Sequence, residues 1–226
     1  MGSKTKSAEV AKLRREVQRL QNENNRYVEV NKEQSSTIRR LTLENRKLKK
    51  QSLTDHLTGI SNRRAFDSDL LEMIGAACRI HNFVTVVYFD VDNFKLLNDV
   101  LGHAAGDTAL RIVAKKMKQV FQRRTDKIFR TGGDEFAVIC LASSMEEVEP
   151  LAVSLTEKLE HAIRSYDHVF ATCGIVVAAS YGIASYFGVS VRDASYEAIA
   201  ATLKQEADER MYQYKQQKKI GVVVPH

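Results

Sequence analysis

The chain has only three cysteines among 226 residues, Cys78, Cys140 and Cys173, at scattered positions. An odd, scattered set has neither the spacing of a zinc site nor the pairing of a disulfide framework. Stapled secreted domains are therefore excluded, and reduced thiols in a cytoplasmic protein are expected. No apolar run approaches the roughly 18 residues that a membrane helix needs, and the start lacks a secretory apolar core, so neither a membrane span nor export is expected. Prolines number two, and neither proline nor glycine occurs from Lys4 to Leu57. Nothing in that stretch breaks a helix.

What that stretch does contain is a seam. Val10, Leu13, Val17, Leu20, Asn24, Tyr27, Asn31, Gln34, Ile38, Leu41, Asn45 and Leu48 recur at alternating spacings of three and four. This heptad pattern predicts a parallel coiled coil about 60 Å long, and hence a homodimer. Asn24, Asn31 and Asn45 share the seam position of Val10, Val17 and Ile38. Buried asparagines there favour two strands in one register, at some cost in stability, so the polar stretch from Asn24 to Gln34 is the weak part. The first three residues, Met1-Gly2-Ser3, read as a vector-derived start, and a sensor domain is expected upstream.

Charge divides with the seam. Residues 1–51 carry 14 Lys/Arg against 6 Asp/Glu, a balance of +8, whereas the remainder balances at −2. A basic-zipper reading requires a basic block ahead of the seam. Here Arg14, Arg15, Arg19, Arg26, Arg39 and Arg40 are spread through the heptads. They flank the seam as a solvated face, and nucleic acid is not an expected partner.

Beyond residue 51 the period changes. Gly59 and a polar cluster mark a turn, a helix is predicted from about Arg64 to His81, and Val84–Phe89 is a continuous apolar run expected to be a strand buried on both faces. It ends in Asp90-Val91-Asp92. A short helix with Lys95 and Asn98, a glycine-bounded turn and a second helix beginning near Asp107 follow. Taken alone, Asp107 reads as an N-cap, Lys95 as a solvated lysine and Asn98 as a polar face residue. Together they offer a carboxylate, a cation and an amide suited to a purine edge and a phosphate. Arg130-Thr131-Gly132-Gly133-Asp134-Glu135-Phe136 then joins two apolar runs with the composition of a β-hairpin. Its glycines are expected to adopt special backbone angles and to allow close approach. Asp134 and Glu135 are either a solvated acidic turn or ligands for a hard divalent cation such as Mg²⁺. A helix from Met145 to Tyr166, a strand-like run from Cys173 to Ser185 and a last helix from about Ser195 to Gln217 complete the chain.

Three ordered motifs, residues 55–64, 90–107 and 132–136, resemble those of the GGDEF-domain diguanylate cyclases, over about residues 53–224. The resemblance implies an α+β fold with an antiparallel-rich central sheet flanked by helices, like nucleotide cyclases and polymerase palms. It divides the chain into a coiled-coil signalling helix, 1–51, and a catalytic domain, 52–226. It implies condensation of two GTP into cyclic di-GMP and two pyrophosphates across a dimer. Asp90, Asp134 and the Val91 carbonyl match ligands for two Mg²⁺, with Mn²⁺ a substitute. Asp134, Glu135 and Lys95 match catalytic positions. Asn98 and Asp107 match guanine readers, and Phe94, Gly132, Gly133 and Lys215 match other substrate contacts. Lys219 stands where the family usually has arginine, which loses a bidentate fork on phosphate, and Lys218 stands where it usually has glycine. Arg123 and Asp126, nine residues ahead of Gly132, match a site of product inhibition. The other readings are a non-catalytic receptor for cyclic di-GMP or GTP and a coiled-coil scaffold. Receptors of that kind usually lose a signature carboxylate, and Asp90, Asp134 and Glu135 are all present.

Overall fold

A run of β-branched and aromatic residues with no polar face has to be covered on both sides, and β2 (Phe83–Val91) is that run. The computed structural model describes residues 2–166, 170, 174–189 and 195–220, leaving aside the side chains of residues 2–13, 45–51, 219 and 220. Within it β2 is the second strand from one edge of a five-stranded sheet. It pairs antiparallel with β4 (Glu135–Leu141), from Val84↔Leu141 to Asp90↔Glu135, and with β5 (Ala179–Phe187), from Phe83↔Phe187 to Val91↔Ala179. On its far side β4 pairs antiparallel with β3 (Asp126–Arg130), and the two-residue β1 (Ser61–Asn62) runs parallel to β3. The sheet is antiparallel-rich, in the order β1-β3-β4-β2-β5.

Side chains alternate along β2, so each face has its own core. Val87, Phe89 and Val91 meet Val138, Tyr181 and Ile183 under α4 (His103–Val120) and α5 (Met145–Arg164). Val84 and Val86 meet Ile139 and Ala184 under α2 (Arg63–Ile80) and α6 (Tyr196–Ile220). The short α3 (Phe94–Leu101) leads from the end of β2 back to α4.

At Gly182 of β5 an added Cβ would lie 2.0 Å from the Ala207 carbonyl and 2.2 Å from the Met211 nitrogen of α6. Helix and strand therefore touch backbone to backbone, which carries the last turns of α6 to the strand ends. Gly182→Ala should push α6 outward and cost about 2 kcal/mol. Chemical denaturation reads this directly, and an unchanged midpoint would mean that α6 has room to move.

The chain divides into two compact units, Met1–Ser52 and Leu53–His226. The first is essentially all helix, α1 (Gly2–Leu53), and within it Val17, Leu20, Tyr27, Ile38 and Leu41 each expose 51–65% of their surface. A row of exposed apolar side chains at heptad spacing is what a coiled-coil stalk presents to a partner strand. Among the described residues no helix is long and apolar enough to cross a membrane.

Several boundaries differ from the sequence reading. β5 begins at Ala179 because residues 174–178 form no ladder, and Cys173 lies outside the described residues. Asp107 is not an N-cap: α4 begins at His103 with Gly102 at the cap, which puts Asp107 in its second turn. Neither hairpin glycine has positive φ, in contrast to Gly59, Gly102 and Gly174. What Gly132 provides is space, since an added Cβ would lie 2.4 Å from Glu135 Oε2.

Candidate active site

The ends of β2 and β4 bring the acidic residues together. Asp90 lies directly across the ladder from Glu135, and the Val91 N–H donates to the Asp134 carbonyl at 3.1 Å. Thr131 and Gly132 N–H both donate to the Glu135 carbonyl, at 3.0 and 3.3 Å, closing the turn between β3 and β4. The Asp134 side chain takes no hydrogen bond or ion pair among the described residues. Asp90 accepts from Lys215 of α6. Burial pushes the Asp90 carboxyl above its ordinary range and the charges of Asp134 and Asp92 add to this, outweighing the opposing pull of Lys215.

That donor set tests whether a divalent cation fits. Among the described residues no group of three or more histidine, cysteine or acidic side chains forms a complete cage. Mg²⁺ needs none, because one or two carboxylates with water and substrate phosphates commonly hold it. Asp90 and Asp134 with the Val91 carbonyl are such a set, and Asp90 is a half-buried carboxylate pressed by two others. The residues fit the ion.

Turn geometry comes from a residue to which the sequence reading assigned no part. Arg130, at the end of β3, donates to the Gly133 carbonyl through Nε at 3.1 Å and Nη2 at 2.7 Å, and to Asp55 through Nη1 at 3.2 and 3.3 Å. Asp55 also accepts from the Thr58 N–H at 2.9 Å and the Thr58 hydroxyl at 2.5 Å. The guanidinium thus ties the acidic turn to the Gly59 turn 75 positions away in sequence. Burial alone would raise the Asp55 carboxyl, but the bonds from Thr58 and the Arg130 cation hold it below its ordinary value. A depressed folded-state value contributes stability that is present at neutral pH and lost as pH falls through and below about 4. The melting temperature of the parent should therefore drop more steeply than that of Asp55→Asn between about pH 5 and 3. Parallel curves would show that the pair adds nothing.

Beyond the end of β2, α3 and α4 pack closely against each other. An added Cβ at Gly106 of α4 would lie 1.9 Å from Asn98 Oδ1 and 3.2 Å from the Phe94 ring, so glycine is what lets the two helices close there. Asn98 Oδ1 is buried and has no hydrogen-bond partner among the described residues. Such an acceptor is costly unless a ligand meets it. Asp107 is half-buried on α4, and Lys95 is exposed on the first turn of α3.

Arg123 and Asp126 lie apart from this cluster, at the start of β3. The Arg123 N–H donates to Asp126 Oδ2 at 3.0 Å, the Asp126 N–H returns to the Arg123 carbonyl at 2.9 Å, and the guanidinium donates to the Ser143 hydroxyl at 2.5 Å. Asp126 Oδ1 is turned inward, toward the buried Cys140, whose thiol is pushed up by burial and by that carboxylate. Of the remaining predicted residues, Gly133 has open space around it, and the Lys219 side chain lies outside the described residues.

The family described as diguanylate cyclase, GGDEF domain, matches residues 52–220. Diguanylate cyclase DgcP of Escherichia coli K12 is 32% identical over 194 residues, which is 86% of this chain and 53% of that protein. Diguanylate cyclase VdcA of Vibrio cholerae is 37% identical over 123 residues, 54% of this chain and 35% of that one. The chain thus spans about half the length of the first relative and about a third of the second. Among solved structures, the coiled coil and GGDEF domain of DgcB from Caulobacter crescentus, in complex with c-di-GMP, superposes with a TM-score of 0.67 at 24% identity, covering 81% of this chain and 91% of that one. At that identity the match speaks for the fold.

Proposed function

Because the chain belongs to the diguanylate cyclase GGDEF-domain family, we propose that it condenses two GTP into cyclic di-GMP, releasing two pyrophosphates, at a site completed by a second copy of itself. The observation that carries this reading is the orphaned Asn98 acceptor, held between α3 and α4 in the segment that follows the acidic end of β2. Guanine offers N1–H and N2–H₂ donors on one edge, which Asn98 Oδ1 and the Asp107 carboxylate can accept. Adenine presents a bare N1 at that place and would leave the acceptors unmet, so GTP is favoured.

Asp90, Asp134 and the Val91 carbonyl would hold two Mg²⁺, or Mn²⁺ in their place. When bound, these ions polarise the α-phosphate and neutralise the leaving pyrophosphate. Glu135, opposite Asp90, is the second acidic residue of the site. Lys95 and Lys215 meet the triphosphate, with Phe94, Gly132 and Gly133 shaping its path and Lys219 adding charge at the end of α6. Lys215 spends its charge on Asp90 in the absence of nucleotide and is positioned to transfer it to phosphate.

Each copy binds one GTP, so turnover depends on how the dimer presents two loaded domains. The α1 seam would form that homodimer, with an upstream sensor acting through the polar stretch Asn24–Gln34. Arg123 and Asp126 would bind the product and inhibit. Arg123 keeps guanidinium donors free beyond Ser143, whereas Asp126 has to turn outward to accept from guanine.

Purified chain incubated with GTP and Mg²⁺ tests the reading by chromatography of the nucleotides. Cyclic di-GMP from the parent but not from Asp134→Ala is the expected result. No product from either, together with cyclic di-GMP binding lost in Arg123→Ala, would make the protein a receptor.

A further inference from the structure

Beside Asp90 stands a second carboxylate, Asp92, two residues further along the chain and just past the end of β2. Each aspartate has a lysine of α6 as partner, Lys215 on Asp90 Oδ1 and Lys218 on Asp92, but among the described residues only Asp92 has both oxygens engaged. Asp92 Oδ2 accepts from Lys218 Nζ at 2.6 Å and Oδ1 from the Ser180 hydroxyl at 2.7 Å, while its N–H donates to the Ala178 carbonyl at 3.0 Å. The Lys218 ammonium also donates to the Ala179 carbonyl at 3.2 Å and lies 5.6 Å from the centre of the Tyr214 ring. Both partners of the ion pair are largely shielded, with side-chain exposures of 28% for Lys218 and 15% for Asp92. Lys218 thus makes three contacts at one place, and both Asp92 oxygens are engaged within the protein.

We propose that Lys218 is a positioning residue that holds Asp92 against β5, so that of the two aspartates at the end of β2 only Asp90 is presented to a divalent cation. The inference rests on the metal-dependent reading of the site. Its physical basis is competition for the carboxylate. A partly shielded ion pair with good geometry is worth more than an exposed one, and breaking it by removing one partner leaves the other charge in search of a cation. With Lys218 neutralised, Asp92 is free to rotate from Ser180 toward the cation bound at Asp90, adding a ligand and a negative charge. The cation would then be gripped more tightly, with fewer positions left for substrate oxygens. The same lysine also anchors the end of α6, three residues past Lys215, so its loss loosens the Lys215 ammonium on which the triphosphate depends.

Mn²⁺ titration of the full chain without nucleotide, followed by electron paramagnetic resonance of the free ion, measures the first effect. Lys218→Met should tighten Mn²⁺ binding on the order of tenfold, and the added change Asp92→Asn in the same chain should return it to the parental value. Asp90→Asn, as a reference, should abolish binding in the parent. Steady-state kinetics should show Lys218→Met raising the KM for GTP more than it lowers kcat. Mn²⁺ binding that depends on Asp90 but is unchanged in Lys218→Met would overturn the proposal while leaving the metal site standing. Tightening that persists in the double variant would overturn it too, since Asp92 could then not be the added ligand. If the parent takes up no Mn²⁺ at all, the metal reading falls and the proposal with it.

Discussion

Asp90→Asn is expected to lower cyclic di-GMP formation about a thousandfold while leaving the protein as stable as the parent, or more so. The two halves of this expectation come from one carboxylate. Asp90 sits half-buried where the charges of Asp134 and Asp92 converge, and burial with that repulsion outweighs the pull of Lys215. A carboxyl raised in the folded state is one whose charge the fold disfavours, so at neutral pH its ionised form subtracts from stability. Asparagine keeps the shape and removes the charge. Such a residue persists because the site requires it, which is the usual exchange of stability for function. Product chromatography and thermal melting on the same preparation check both halves. Wild-type turnover in Asp90→Asn would remove Asp90 from the ligand set, and a large fall in melting temperature would show that its charge holds the fold together.

The parts of this molecule that were legible in the sequence are those written in periodicity and local composition. The buried strand through Phe89, the helices after it and the hairpin before Phe136 follow from patterns a few residues long. The family motifs point to Asp90, Asn98, Asp107 and Asp134, and the structure brings the first and last of these to adjoining strand ends. Contacts between distant segments left no such trace. Arg130 and Asp55 are 75 positions apart, and nothing in either neighbourhood announces the other. Lys218 and Asp92 are 126 apart, and Lys218 reads locally as one more lysine in a basic tail. Gly182 looks like an ordinary glycine within a strand until α6 is seen to cross it. The hairpin glycines misled in the opposite direction, because positive φ was the obvious reason for glycine there, whereas the space at Gly132 is taken by the Glu135 side chain.

The second large effect concerns the stalk. Leu20 and Leu41 expose about half their surface on α1 at heptad positions, so in a dimer they are the side chains that would be buried. Leu20→Asp combined with Leu41→Asp places like charges opposite each other in a parallel seam, and the coil should separate into monomers. A tethered pair of domains meets at an effective concentration in the millimolar range, whereas separated domains meet at their bulk concentration. At about 1 µM chain the rate of cyclic di-GMP formation should therefore fall about a thousandfold. It should also recover steeply as protein is added, because two loaded copies must collide. The affinity of each copy for GTP should be unchanged, since Asn98 and the acidic strand ends lie in the unit that begins at Leu53. Sedimentation together with rate measured against protein concentration separates the possibilities. A monomer with parental activity at every concentration would mean that one copy suffices. A dimer that survives both substitutions would place assembly in the catalytic unit and leave α1 the narrower task of setting how the two domains face each other.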